Sequence, residues 1–269
     1  MEKQPKVTFL ISIYNTPKEQ LRTAINSVLN QTYENYDILI INDGTKDDSL
    51  EIIKSYNSDK IKIINNENNI GLEKSLNKGI KEINSEYIAR MDTDDISHND
   101  RLQKQIEFAK LHPEYSVIAT KVNIFDDNGI YGMTKISGKI EKRDLLFGTP
   151  FIHPSMLIKT EDIKNIGGYP LFHRCEDYAM IMELYSNGKK GYIMSEILLD
   201  YRMDKTGYKK RKMKDRLIEV KVRWIYFRKM NIPFYQYFYV LKPILLMIIP
   251  RKMVMNYHQN KFKKEDNNE

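Results

Sequence analysis

The chain has 269 residues, 41% hydrophobic and 29% charged, a composition that excludes a disordered or fibrous protein and suits one large α/β domain or one domain with an appendage. A single cysteine, Cys175, excludes an intramolecular disulfide framework and suits a reducing compartment. The formal charge of +7 hides an asymmetry: 17 of the 43 Lys and Arg fall between positions 205 and 264, opposed there only by Asp215 and Glu219. An acidic body with a strongly basic tail points to a docking element and not to a nucleic-acid partner. The N-terminal residues lack the apolar core and small-residue cleavage site of a secretory leader.

Residues 6–15, KVTFLISIYN, are a nearly continuous apolar run rich in β-formers, as expected of a strand buried on both faces. A helix is predicted over 16–31, with Thr16 as N-cap, Pro17 at the first helical position and Leu21, Ala24, Ile25, Val28 and Leu29 at helical spacing. A second buried strand over 36–48 carries Asn42-Asp43-Gly44, and a helix follows over 49–56. Strands at 60–66 and 86–91 enclose a helix at 71–83. This alternation predicts a parallel, doubly wound sheet. Ligands of such sheets bind beyond the carboxyl ends of the strands, where Asn15, Asp43 and the acids Asp92, Asp94 and Asp95 all fall.

A further helix, 101–112, ends at His112-Pro113. Residues 114–204 are less regular, with strand-like pieces at 115–125 and 155–159, a turn at 167–170 and a helix over 176–188. From 205 the pattern becomes basic and helical, then aromatic and apolar over 232–250. That last stretch is broken by Lys242 and Pro243, so neither part reaches the roughly 20 apolar residues of a membrane span. With Arg251, Lys252 and the basic run at 261–264 beside it, it reads as an interfacial membrane anchor. The competing reading is a helix that packs its aromatics into the core.

Three carboxylates in four positions, Asp92, Asp94 and Asp95, repel one another and are costly to bury unpaired. An EF-hand fails on spacing, because Ser97 falls where Gly is needed and Gln103 where Glu is needed. An aspartyl phosphotransferase would place its acids after the first strand, not the fourth. Helix capping near Asn99 employs one acid at most. The remaining reading is Mg²⁺ or Mn²⁺ held between one or two carboxylates and the phosphates of a ligand, which accords with the absence of a Gly-rich phosphate loop.

Taken in order, VTFLISIYN, LIINDGTKDD, NNIGLEKSLNKGI, EYIARMDTDDIS, RLQKQIEF, FIHPSMLIK, GGYP, EDYAMIMEL and LLDYR make residues 6–203 resemble the family 2 glycosyltransferases. The resemblance implies a GT-A fold, Rossmann-like with a mostly parallel central sheet flanked by helices. Here that fold would occupy 1–204 (nucleotide-binding half 1–95, acceptor-side half 96–204), followed by a basic, aromatic helical extension over 205–269. It implies a nucleotide-sugar donor, a divalent metal, inversion at the anomeric carbon and work on bacterial surface polysaccharides. By the same resemblance Asp43 would contact the base of the donor, expected to be the uracil of a UDP-sugar, with Ser12, Tyr14 and Asn15 bordering the nucleotide. Asp94 would hold the metal, with Asp92 shared between metal and donor, Thr93 beside them and Asp95 a further candidate ligand. Asp177 would be the general base, with Glu176 next to it.

Lys78 and Arg90 are candidate phosphate contacts, and His153 and Asp204 candidate acceptor-side residues. Relatives often carry His where Asp204 stands. Cys175 reads as a bystander. The acceptor is expected to be a saccharide or a lipid-linked chain, and the location cytoplasmic, at the inner face of the cell membrane. Alternatives are a nucleotidyltransferase, for which only Lys18 is available near the first turn, and a non-catalytic sugar- or lipid-binding scaffold, which would have no need of Asp177.

Overall fold

The computed structural model describes residues 4–203, 213–248 and Phe262. Through the first ninety or so residues, strand and helix alternate as predicted: β1 (Val7–Ile13), α1 (Lys18–Leu29), β2 (Tyr36–Asn42), α2 (Ser49–Lys54), β3 (Ile61–Asn65), α3 (Leu72–Glu82) and β4 (Tyr87–Arg90). Next come β5 (Ile96–Ser97), α4 (Arg101–Leu111), β6 (Val117–Asp126), β7 (Gly129–Met133), β8 (Gly138–Ile140), β9 (Leu157–Lys159), α5 (Thr160–Asn165), α6 (Glu176–Ser186) and β10 (Gly191–Arg202). All ten strands join one sheet in the order β3-β2-β1-β4-β9-β6-β10-β5, with β7 on β6 and β8 on β10. β3, β2, β1 and β4 are parallel, β9 runs against both β4 and β6, and β6 and β10 are again parallel. The sheet is thus mixed and mostly parallel, with helices on both faces.

The apolar run in β1 is explained by burial on both sides. Phe9, Ile11 and Ile13 pack with Leu21, Ile25 and Val28 of α1 on one face, while Leu10 packs with Leu76 and Ile80 of α3 on the other. Gly79 lets α3 approach closely, since a Cβ there would lie 2.5 Å from the Leu10 side chain. One expectation changes in detail. Thr16 does not cap α1, which begins at Lys18 after Pro17 with no side-chain cap. Its N–H donates to Ser49 Oγ (3.1 Å) and its hydroxyl meets that of Thr93 (3.1 Å), so tertiary partners outcompete the local cap.

The C-terminal extension begins its described part with α7 (Met213–Lys229), continues as a 3₁₀ stretch, Phe234–Leu241, and ends with α8 (Lys242–Ile248). Val222, Tyr226 and Phe227 of α7 enter the same core as Met180 and Ile181 of α6. Buried Arg223 pairs with Glu219 Oε1 (2.8 Å) one turn back on α7 itself and donates to the Leu146 carbonyl (2.6 Å), so the helix docks through that hydrogen bond as well as apolar area. The aromatic stretch packs only in part on the catalytic domain. Ile232 and Val240 are buried, while Phe234 is 86% and Phe238 59% exposed. Among the described residues no helix is long and apolar enough to cross a membrane.

Candidate active site

At the carboxyl edge of the parallel strands the chain turns sharply. Asn15 takes a left-handed conformation (φ 48°), tolerable for Asn because its side chain bonds locally. Its Oδ1 accepts from Lys46 N (2.8 Å) and Thr45 Oγ1 (3.1 Å), which ties the end of β1 to the loop after β2. Ser12 is half-buried and Tyr14 exposed beside it. Asp43 is buried and turned inward: Oδ1 accepts from Asn66 Nδ2 (3.0 Å) and Ile70 N (2.8 Å), and Oδ2 from Gly71 N (3.0 Å). It therefore shapes the loop leading into α3. Gly44 next to it has φ 68°, and a Cβ would stand 2.6 Å from the Asn68 carbonyl carbon. Lys78 is committed to the same loop through Asn65 O (3.0 Å) and Asn66 Oδ1 (2.9 Å).

The acid cluster rests on two buried arginines. Arg90, at the end of β4, is wholly buried and donates from one Nη to Asp92; its Nε and other Nη have no partner among the described residues. Arg101, also wholly buried, donates to the Arg90 carbonyl (3.0 Å) and to Gln105 Oε1 (3.0 Å), and burial followed by the Arg90 charge lowers its pKa to about 9. Above them, burial and then the Asp92 charge push the Asp94 carboxyl up to about 6, against the opposing pull of Arg202 and Arg90. Asp95 is buried and raised well above the usual carboxylate range by burial, Asp92 and Asp94; Oδ1 accepts from Arg202 N (2.8 Å), and Oδ2 is without a partner among the described residues. Thr93 bridges to Thr16.

The second group of acids opens α6. Cys175 is its buried flanking residue, and Glu176 and Asp177 form its first turn. Burial, then Asp177 and Glu73, push Glu176 up to about 7, and its Oε2 has no partner among the described residues. Asp177 Oδ1 accepts from Tyr178 N (2.7 Å). His153 Nε2 lies 2.8 Å from the Tyr169 hydroxyl, and burial with the Arg90 charge keeps this imidazole neutral. Asn77 of α3 fixes the Tyr169 main chain by two hydrogen bonds, 2.8 and 2.7 Å.

Two tyrosines show how closely the groups converge. Burial raises the Tyr201 phenol, and the charges of Asp95, Asp92, Asp94 and Asp177 raise it further. Burial likewise raises Tyr169, with Asp177, Asp92 and Glu176 adding to it against Arg90. The predicted residues Arg90, Asp92, Thr93, Asp94, Asp95, Glu176 and Asp177 thus share one site. Asn15 and Asp43 shape the adjoining loops, Lys78 braces one of them from the exposed side, and His153 stands behind Tyr169. Asp204 lies outside the described residues.

Tyr169, Tyr201, Arg101 and Asn77 were not foreseen as parts of the site. The two tyrosines sit in the conspicuous strings GGYP and LLDYR, but nothing in spacing distinguishes a site phenol from a core one.

Among the described residues no three His, Cys, Asp or Glu converge as a complete metal-binding set. Mg²⁺ or Mn²⁺ does not need one where a ligand supplies phosphate oxygens, because one or two carboxylates then suffice. The crowding of Asp92, Asp94 and Asp95, with Asp95 Oδ2 orphaned, fits a cation as the missing counter-charge.

Comparison with known proteins accords with this architecture. The model of glycosyl transferase family 2 matches residues 8–183. A putative glycosyltransferase, EpsE of Bacillus subtilis, is 30% identical over 97% of this chain and 96% of its own length. The UDP-Gal:alpha-D-GlcNAc-diphosphoundecaprenol beta-1,3-galactosyltransferase of Escherichia coli is 27% identical over 91% of this chain and 92% of its own. Among solved structures, S. aureus TarS 1-349 in complex with UDP has a TM-score of 0.64 at 20% identity, over 84% of this chain and 69% of that one. The mannosyltransferase PcManGT of Pyrobaculum calidifontis, in complex with GDP-Man and Mn2+, has a TM-score of 0.64 at 12% identity, over 96% and 81%. At these identities the structural matches speak for the GT-A fold.

Proposed function

The chain belongs to glycosyl transferase family 2, and from that premise we propose an inverting, metal-assisted transferase that moves a sugar from a UDP-sugar to a lipid-linked or growing surface polysaccharide. One observation carries the reading: two groups of acids share one buried cation, Arg90, which donates to Asp92 and whose charge also reaches Glu176. One group suits a donor diphosphate, the other an acceptor hydroxyl. The Escherichia coli relative is named for a UDP-sugar donor and a diphosphate-lipid acceptor, which supports that substrate class.

In this mechanism Asp94 and Asp92 would hold the metal, which when bound supplies positive charge to the departing diphosphate. Asp177 takes the proton from the acceptor hydroxyl as its oxygen bonds to the anomeric carbon. The bond from that carbon to the donor diphosphate breaks on the opposite face, and its electron pair leaves with the nucleoside diphosphate. Arg90 fixes Asp92, and through its charge limits the rise in the pKa of Glu176. Tyr169, clamped by Asn77, and Tyr201 lie within the field of both acidic groups.

The first test is a thermal-shift screen of nucleotide sugars with Mn²⁺, repeated in EDTA. The reading expects stabilisation by a uridine nucleotide sugar that EDTA abolishes. Absence of metal-dependent stabilisation by any nucleotide sugar would defeat it.

A further inference from the structure

At the C-terminal end of α6, away from the acids at its N-terminus, lies a second cleft of about 650 Å³ lined by Lys139, Lys142, Arg143, Tyr185, Lys189 and Lys190 among others. The 11 residues of α6 separate its rim from Glu176 by roughly 16 Å. Three of its cations face a local carboxylate, Lys139 that of Glu141 (2.5 Å), Lys189 that of Asp162 (2.6 Å) and, more loosely, Arg143 that of Asp144 (4.0 Å). Lys142, Arg143 and Lys190 are exposed on the rim, Lys142 donating only to a carbonyl, Met230 O (3.3 Å). The site chemistry gives this basic cleft no task.

The cleft does not end at its own rim. Lys142 meets the residue after α7, and the following 3₁₀ turn, Asp144–Phe147, carries the exposed Phe147 onto Tyr239, ring centroids 4.8 Å apart. Lys242 closes the seam by donating to the Phe147 carbonyl (2.7 Å). Beyond that seam Phe234, Tyr235, Phe238, Leu241 and Leu245 are each more than half exposed, an apolar platform rather than scattered single side chains. In sequence it is followed by Arg251, Lys252, Lys261, Lys263 and Lys264.

From this continuity we infer that the cleft and the platform form one membrane-facing surface, on which anionic lipid phosphates occupy the basic cleft while the aromatics enter the interface. The catalytic domain therefore takes part in membrane docking alongside the tail. Basic residues are each worth a substantial gain near an anionic leaflet, and aromatic rings settle at headgroup depth. A free anion would account for the cleft but not for the adjoining aromatics. The inference deepens the proposed function and rests on its lipid-linked acceptor, since docking would hold the enzyme where that acceptor is embedded.

The test is co-sedimentation of the full chain with vesicles of phosphatidylcholine alone or mixed with phosphatidylglycerol. Binding is expected on the anionic vesicles, with release in high salt and no displacement by inorganic phosphate. Lys142→Gln, Arg143→Gln and Lys190→Gln together should weaken it by about tenfold or more. Phe234→Ser with Tyr235→Ser and Phe238→Ser should weaken it as well. Equal binding to both vesicle types, displacement by phosphate, or unchanged binding of the cleft variant would each overturn the inference. Should the triple variant fail to fold, Lys142→Gln and Lys190→Gln made singly decide, each expected to weaken binding and each overturning the inference if binding is unchanged. Transfer to a water-soluble acceptor, assayed in parallel, separates the two claims: intact vesicle binding without transfer would sink the proposed function and not the docking surface.

Discussion

Arg90 is wholly buried, yet only one of its three guanidinium nitrogens finds an acceptor among the described residues, and that acceptor is Asp92. A buried cation persists only where its surroundings need the charge, and here Asp92, Asp94, Asp95 and Glu176 all lie within its field. Removing one member of a buried pair typically costs 3–5 kcal/mol; Asp92 is one-third exposed, so Arg90→Ala is expected to cost about 2–3 kcal/mol in a urea melt. Unchanged stability would mean that Arg90 is not the counter-charge of the site.

Three crowded acids are a cost to the fold that ligand binding repays. Asp94→Ala is therefore expected to raise the melting temperature of the ligand-free protein while abolishing Mn²⁺-dependent binding of the donor. Calorimetric titration with UDP and Mn²⁺ checks the second part. Wild-type affinity in Asp94→Ala would remove Asp94 from the metal site.

The pKa of Glu176, pushed up to about 7 by burial and then by Asp177, has a signed consequence for stability. The folded chain holds this proton more tightly than the unfolded one, so the contribution is favourable at low pH and is lost as pH rises towards 7. Glu176→Gln should accordingly stabilise the protein above neutrality, by up to roughly 3 kcal/mol, and have little effect below pH 4. Melting curves across that range provide the check, and a pH-independent difference between the variants would contradict the assignment.

The contact between α3 and the 167–170 turn depends on a glycine. Gly168 has φ 86°, and a Cβ there would lie 2.3 Å from Asn77 Oδ1, the atom that accepts from Tyr169 N. Gly168→Ala should loosen Tyr169 and destabilise the chain by about 1–3 kcal/mol. Asn77→Ala should loosen Tyr169 in the same way, and both variants should raise the acceptor KM, but Asn77→Ala without the backbone strain. A Gly168→Ala variant with wild-type stability and acceptor KM would show that the staple is not needed.

Much of this arrangement was legible in the sequence because it follows from local rules. Apolar runs without alternation predict strands buried on both faces, and β1 with Phe9 and Leu10 packed on opposite sides bears this out. What escaped depends on tertiary partners. Thr16 reads as a helix cap until Ser49 and Thr93 arrive from elsewhere in the chain. Arg101, which spacing alone does not mark, is buried against the main chain beneath the acids. That Asp43 also accepts from Ile70 N and Gly71 N, shaping the loop into α3, likewise depends on residues nearly thirty positions away. The aromatic stretch near the C-terminus resolves into a buried face and an exposed one, a distinction that a run of Phe and Tyr without regular spacing does not encode.

Asp177 is where the account can be tested most directly, because it assigns binding and transfer to different carboxylates. The measurement is donor affinity and single-turnover transfer for Asp177→Asn beside the unaltered protein. The account predicts the same affinity for the UDP-sugar with Mn²⁺ and a transfer rate lower by about 10²–10⁴-fold, the range for loss of a general base. Transfer at the unaltered rate would contradict it.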